Sequence, residues 1–129
     1  LINSDIKYTS HKIYYSNTLS LRLLYSASDL LVVPSRQEAF GQVATEAGSC
    51  ETPSIVFKNT GLEDIVDHKI NGYLANYLSF EDLASGIEWS LDDANNYKIG
   101  KNARKEIIKK FSNEVIANKY KELYLSLIK

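Results

Sequence analysis

The 129-residue sequence contains no methionine, one cysteine, two prolines, two histidines and one tryptophan. The lone Cys50 excludes an intrachain disulfide framework and a multi-cysteine zinc site. No apolar run approaches the roughly 20 residues needed to span a bilayer, and no signal-peptide pattern opens the chain. A reducing, cytoplasmic setting is therefore the expectation. Neither sign of charge is in excess: 15 Lys and Arg stand against 16 Asp and Glu, for a net charge of -1. That balance argues against a bulk nucleic-acid binder. The absence of methionine extends to an initiator, so Leu1-Ile2-Asn3-Ser4-Asp5 reads as the interior of a longer protein.

With 44% hydrophobic residues, 9 Tyr and 4 Phe, the chain suits one globular domain with its own core rather than a disordered segment. The charge is segregated. Residues 1–97 carry 6 basic and 13 acidic side chains, and residues 98–129 carry 9 and 3. Lys101, Arg104, Lys105, Lys109 and Lys110 read first as a solvated helix face, with an anionic membrane or an absent domain as the alternative contact.

Hydrophobic patterning predicts an alternating α/β order. Ile6–Tyr15 is rich in β-branched and aromatic residues and predicts a strand. Residues 20–26 predict a short helix with Leu21, Leu24 and Tyr25 inward. Leu30-Leu31-Val32-Val33, closed by Pro34, and Ser54-Ile55-Val56-Phe57, preceded by Pro53, are short apolar runs suited to strands buried on both faces of a parallel sheet. Between them, residues 41–50 predict a helix with Val43, Ala44, Ala47 and Cys50 on its inner stripe. Gly61 opens a short helical turn through Ile65, Asn71-Gly72 marks a turn, and Tyr73-Leu74-Ala75 predicts a third strand. Helices follow at about 80–91, 95–110 and 113–128, with apolar stripes Ile99, Ala103, Ile107, Phe111 and then Ile116, Tyr120, Leu123, Leu127. Ser112 stands where a cap is needed. Trp89 reads as packing, and His68 as a surface loop residue rather than a base.

In open α/β sheets ligands bind beyond the carboxyl ends of the strands. Two loops fit that position: residues 34–43 after the first strand, and Asn59-Thr60-Gly61-Leu62 after the second. Each leads into a helix N-terminus, where unpaired amides and the helix dipole favour an anion such as phosphate. The first loop carries Glu38, and Glu46 follows eight residues later. Carboxylates accept paired hydrogen bonds, so vicinal sugar hydroxyls would complement them while the amides take a diphosphate. Gly41 would let the backbone approach a ligand closely. Spacing alone leaves Glu38 equally readable as an exposed loop charge, and Glu46 as a solvent-facing residue or the partner of Arg36.

The string Tyr25-Ser26-Ala27-Ser28-Asp29-Leu30-Leu31-Val32-Val33-Pro34-Ser35, then Glu38-Ala39-Phe40-Gly41, Glu46-Ala47 and Thr52-Pro53, resembles the donor-binding half of family 4 retaining glycosyltransferases. Gly61-Leu62-Glu63-Asp64-Ile65-Val66 and Asn71-Gly72-Tyr73-Leu74 continue the likeness, which runs from about Ile6 to Leu91. The resemblance implies the GT-B fold, two Rossmann-like domains facing across a cleft, with residues 1–129 as the C-terminal nucleotide-sugar-binding part and 95–129 as its last helices. It implies Glu46 on the ribose of a UDP- or GDP-linked sugar and Glu38, the candidate catalytic residue, near the 3-hydroxyl of the transferred sugar. The amides of Phe40, Gly41 and Gln42 would hold sugar and phosphate, Val43 would lie beside the ribose, and Thr60 and Gly61 would belong to the donor site. It further implies retention of anomeric configuration, no metal or other cofactor, and a glycan or lipid-linked acceptor taken by a domain absent here. The implied setting is cell-surface polysaccharide synthesis at the cytoplasmic face of the membrane. The alternative is an inactive glycosyltransferase-like nucleotide-binding or interaction module.

The sequence departs from the family pattern in places. Glu51 stands where a glycine ends the helix in a left-handed conformation, Gly48 replaces a better helix former, and Thr60-Gly61 replaces paired glycines. Nothing corresponds to the family's upstream phosphate-binding Arg and Lys. The isolated chain is therefore expected to bind donor weakly and transfer nothing. His11 would lie toward the nucleobase.

Overall fold

The computed structural model describes Thr9, Ser10, Lys12 and residues 17–128. Of the strand expected over Ile6–Tyr15, only Thr9, Ser10 and Lys12 are described, and His11 lies outside the described residues. The elements are α1 (Thr18–Ser26), β1 (Leu31–Val33), α2 (Gln42–Ser49), β2 (Ser54–Phe57), a 3-10 turn (Gly61–Asp64), β3 (Gly72–Ala75), α3 (Phe80–Leu91), α4 (Asp93–Phe111) and α5 (Asn113–Leu127). The three strands form one parallel sheet in the order β1-β2-β3. Val32 is in register with Ile55, and Ile55 with Tyr73.

The period-two geometry of a strand divides β2 between two cores. Val56 joins Val33, Ala44, Leu62, Ile65, Val66 and Ile107, which brings α2 and α4 onto one face. Ile55 and Phe57 join Tyr73, Ala75 and Leu83, which puts α3 on the other. All four β2 residues are buried, as an apolar central strand covered on both faces must be. Gly48 forms the seam between α2 and α4: a Cβ there would stand 3.0 Å from the Ile107 Cγ1 and 3.8 Å from the Ala103 Cβ. The residue that weakens the helix thus lets two helices close on each other.

Side-chain caps fix where α1, α3 and α5 begin. Asn17 accepts from the Ser20 amide at 3.0 Å, and Ser79 accepts from that of Asp82 at 3.2 Å. Ser112 ends α4 and accepts from the Val115 amide at 3.4 Å to start α5. Glu51 follows the Cys50 cap of α2 at φ 65, the left-handed position that its departure from glycine predicted.

Four burial expectations are corrected. Strand β1 is an edge strand among the described residues, with Leu31 and Val32 only half-buried and Leu30 outside it, because no described strand covers its far side. On α1 only Tyr25 is buried; Leu21 is half-buried and Leu24 is 41% exposed. On α2 the inner face is Ala44, Ala47 and Gly48, whereas Val43 turns outward and Cys50 is half-buried as the C-cap. Small residues fill that face, where even a Cβ on Gly48 would stand 3.0 Å from the Ile107 Cγ1. Finally, Tyr120, Leu123 and Leu127 form a stripe on α5, but they are exposed and only Ile116 is half-buried. Periodicity names the apolar side of a helix; it does not supply the partner.

At the flank of β3, His68 Nδ1 accepts from the Leu74 amide at 3.2 Å, and its ring lies 4.5 Å from that of Tyr73. His68 is exposed, as expected of a loop residue, yet it satisfies a strand-edge amide. Desolvation, reinforced by Lys69 and Lys58, lowers its pKa from the ordinary value. Trp89 packs on Tyr73 at 5.9 Å, as anticipated.

Candidate functional site

The carboxyl ends of β1 and β2 bring the two loops together. The Gly61 amide donates to the Glu38 carbonyl at 2.8 Å, joining the loop after β1 to the turn after β2. The approach is close because Gly61 has no side chain: a Cβ would stand 2.6 Å from the Glu38 oxygen. Phe57 O accepts from Thr60 Oγ1 at 3.1 Å, and the same Oγ1 accepts from the Leu62 amide at 3.3 Å. The Glu63 amide reaches the Thr60 carbonyl at 3.2 Å.

These bonds change one expectation. The amides of Gly61, Leu62 and Glu63 are all engaged inside the protein, so the second helix start does not present free donors. A 3-10 turn with a threonine at its start closes on itself. The first helix start differs. Among the described residues the amides of Phe40, Gly41, Gln42 and Val43 meet no protein acceptor, as the opening turn of α2 requires. The anion-ready position is therefore the start of α2.

Gly41 is the N-cap of α2 at φ 89 and ψ 51, in the left-handed region. A Cβ there would collide with the Leu62 side chain and stand 3.2 Å from the Ile65 Cδ1. The glycine is thus required by conformation and by the packed turn behind it, rather than by ligand approach alone. Phe40 is half-exposed, and its ring meets Phe111 edge-on at 5.5 Å, which anchors the loop to the end of α4.

Glu46 stands one turn into α2, about 6 Å along the axis from Gln42. Its Oε1 accepts from Gln42 Nε2 at 3.1 Å and its Oε2 accepts from the Tyr25 hydroxyl at 3.3 Å. Two neutral donors hold the carboxylate, and Arg36 does not pair with it among the described residues. Glu46 lines a hollow of about 250 Å³ between α1 and α2, together with Thr18, Leu21, Arg22, Tyr25, Ser49 and Cys50. Cys50, expected in the core, therefore faces this hollow.

Glu38 is placed differently. Its Oε1 accepts from the neighbouring Ala39 amide at 3.1 Å, and it is not among the residues lining the Glu46 hollow. Gln42 and Glu46 are joined directly, as are Glu38 and Gly61, but no contact joins the two carboxylates. They flank the start of α2, one in the loop before it and one within it.

Residues that sequence reasoning did not place at the site also shape it. Tyr25 lies in the matched string, but nothing in its spacing shows that its hydroxyl reaches Glu46. The Tyr77 hydroxyl donates to the Arg36 carbonyl at 3.2 Å, holding the first loop from beyond β3. That contact spans 41 residues and has no local signal. Among the described residues, no three His, Cys, Asp or Glu side chains are grouped to hold a metal ion, and no helix is long and apolar enough to cross a membrane.

The family described as Glycosyl transferases group 1 matches residues 7–106. The chain is 33% identical to an uncharacterized glycosyltransferase of Methanocaldococcus jannaschii over 118 residues, covering 88% of this chain and 30% of that protein. It is 31% identical to the capsular polysaccharide biosynthesis glycosyltransferase CapM of Staphylococcus aureus over 106 residues, covering 81% of this chain and 28% of CapM. Among solved structures, sucrose-phosphate synthase from Thermosynechococcus elongatus superposes with a TM-score of 0.77 and 38% identity, over 84% of this chain and 27% of that one. Anabaena HepE in complex with UDP-glucose superposes with a TM-score of 0.74 and 29% identity, over 82% of this chain and 30% of HepE. The chain thus spans less than a third of the length of these relatives.

Proposed function

Because this chain belongs to the glycosyl transferases group 1 family, we propose that it is the donor-binding part of a retaining, family 4 glycosyltransferase. It would take a sugar from a UDP- or GDP-linked donor to a glycan or lipid-linked acceptor in cell-surface polysaccharide synthesis. The observation that carries the reading is the start of α2: free amides at Phe40, Gly41, Gln42 and Val43 beside a Glu46 carboxylate already held by Tyr25 and Gln42. A diphosphate fits the amides and the helix dipole. Ribose hydroxyls fit the remaining lone pairs of Glu46. Glu38, in the loop before the helix, is the carboxylate for the transferred sugar, and Val43, Thr60 and Gly61 complete the surroundings. CapM, whose name carries capsular polysaccharide biosynthesis, supports the setting, and the UDP-glucose bound to HepE supports the donor class.

In the proposed reaction the bond from the anomeric carbon to the diphosphate breaks while the acceptor oxygen attacks from the same face. The acceptor proton passes to the leaving diphosphate oxygen, and the same-face attack retains the configuration without a covalent enzyme intermediate. The α2 dipole would stabilise the developing charge on the diphosphate. No metal or other cofactor takes part in this scheme. The protein would act in the cytoplasm, at the membrane face if the basic side of α4 meets anionic lipid. The acceptor and further phosphate-binding cations would come from a domain outside this chain.

Calorimetry with UDP and GDP, paired with a radiolabelled transfer assay, tests the proposal. Weak binding that disappears in Glu46→Ala, with no transfer by the isolated chain, is the expected result. Failure of both nucleotides to bind at millimolar concentration would remove the donor-site reading, and turnover by the 129 residues alone would remove the divided-site reading. Binding without transfer by a longer protein containing an N-terminal domain would favour the inactive-module alternative.

A further inference from the structure

Behind α2 the core is not wholly apolar. Thr52, Ser54 and Asn71 are three of the four polar side chains buried among the described residues. All three line one small cavity, with Ala44 and Gly48 of α2 and Ile107 of α4 also in its wall. The cavity has about 10 Å³ of space for the centre of a water-sized sphere, about the least that one water molecule needs. We propose that it is a built site for a single internal water, anchored by the Ser54 hydroxyl and shared with Thr52 and Asn71. The proposal is independent of the donor reading above.

Ser54 carries the argument. It is 3% exposed, and its Oγ meets no hydrogen-bond partner among the described residues. Ser54 shares a face of β2 with Val56, two residues on, and Val56 packs with Ala44 and Ile107. The hydroxyl is therefore on the side of α2 and α4, where the cavity lies. A buried hydroxyl without a partner costs more than one bonded to an ordered water.

The other two side chains have bonding capacity to spare. Thr52 Oγ1 donates its one proton to the Tyr25 carbonyl at 2.6 Å and keeps its lone pairs. Asn71 Nδ2 donates to the Ile65 carbonyl at 3.0 Å, and Oδ1 accepts from the Asp67 amide at 2.7 Å. That leaves Asn71 one N–H and one lone pair. A water can accept from Ser54, donate to Thr52, and either donate to or accept from Asn71. Three bonds are typical of a buried water, whereas an apolar void stays dry. Thr52 follows α2, Ser54 opens β2 and Asn71 precedes β3, so the water would tie the back of α2 to the sheet.

The test combines a crystal structure of the 129-residue chain with oxygen-17 magnetic relaxation dispersion, which counts long-lived internal waters. The map should show a water about 2.5–3.0 Å from Ser54 Oγ. Ser54→Val, whose methyl groups occupy the cavity, should lose one long-lived water. Ser54→Ala should lower the folding equilibrium constant about fivefold, as for one lost hydrogen bond. Ser90→Ala removes another unpartnered hydroxyl, one that does not line this cavity, and should leave the water count unchanged. No water in the map, or a Ser54 hydroxyl bonded instead to a protein carbonyl, would overturn the proposal. So would an unchanged water count in Ser54→Val, loss of the same water in Ser90→Ala, or a Ser54→Ala variant as stable as the wild type. If Ser54→Val does not fold, the wild-type map and Ser54→Ala decide the question without it.

Discussion

Replacing Gly41 with alanine tests the coupling between the donor loop and the turn behind it. Gly41 has φ 89 and ψ 51, and an L-residue pays about 1–2 kcal/mol for the left-handed region. The new methyl group would also overlap the Leu62 side chain, and Leu62 is itself fully buried. Overpacking of that kind adds about 1–3 kcal/mol. The reduced entropy of the unfolded chain returns about 0.4–1 kcal/mol. The expected net loss is about 1–4.6 kcal/mol. At roughly 3–5 °C per kcal/mol for a domain of this size, the midpoint of thermal unfolding should fall by about 3–23 °C. Urea unfolding at 25 °C provides the direct measure, with an unchanged m-value as the sign that the native state alone has been perturbed. A Gly41→Ala variant within about 0.5 kcal/mol of the wild type would refute both the left-handed cap and the packing against Leu62, since that is the range of an unremarkable surface change.

Two further perturbations address local chemistry. His68 accepts a hydrogen bond from the Leu74 amide and has a lowered pKa in the folded state, so its contribution is present above the unfolded value near 6.5 and is lost as pH falls through its lower folded pKa. Denaturant titrations from pH 7.5 to 5 should show stability declining on the acid side in the wild type and a smaller decline in His68→Phe; identical profiles would exclude this histidine as a source. Glu51→Gly should be neutral or stabilising by up to about 1 kcal/mol, because relief of the left-handed strain at φ 65 exceeds the added freedom of the unfolded chain. A loss above about 1 kcal/mol in the same assay would show that the Glu51 side chain makes a stabilising contribution at the end of α2.

Local pattern was sufficient to identify the strand at Ser54–Phe57, the Tyr73–Ala75 part of the strand that begins at Gly72, the positions of α3, α4 and α5, and the loop in which Glu38 and Gly41 lie. Those features depend on periodicity, caps and the carboxyl-edge rule, all of which act over a few residues. The matched motif likewise marked Glu46 and its helix before any geometry was available. Which apolar faces are buried was less legible. Val43 and Ala44 are adjacent and both apolar, yet only Ala44 is buried, because it falls on the face packed with Val33, Val56 and Ile107.

The tertiary structure alone decided the state of the site's donors and acceptors. That the amide of Gly61 is engaged by Glu38, while those of Gln42 and Val43 remain free, depends on how two loops from different strands meet. That Glu46 is held by Tyr25 and lies beside Arg22 depends on how α1 packs against α2. The sequence by itself determined which residue types stand at the ends of the strands, since backbone propensity and hydrophobic period are local properties. Which of them bond to each other and which stay open to a ligand followed only from the packing, because hydrogen bonds between elements are short-range in space and blind to separation along the chain.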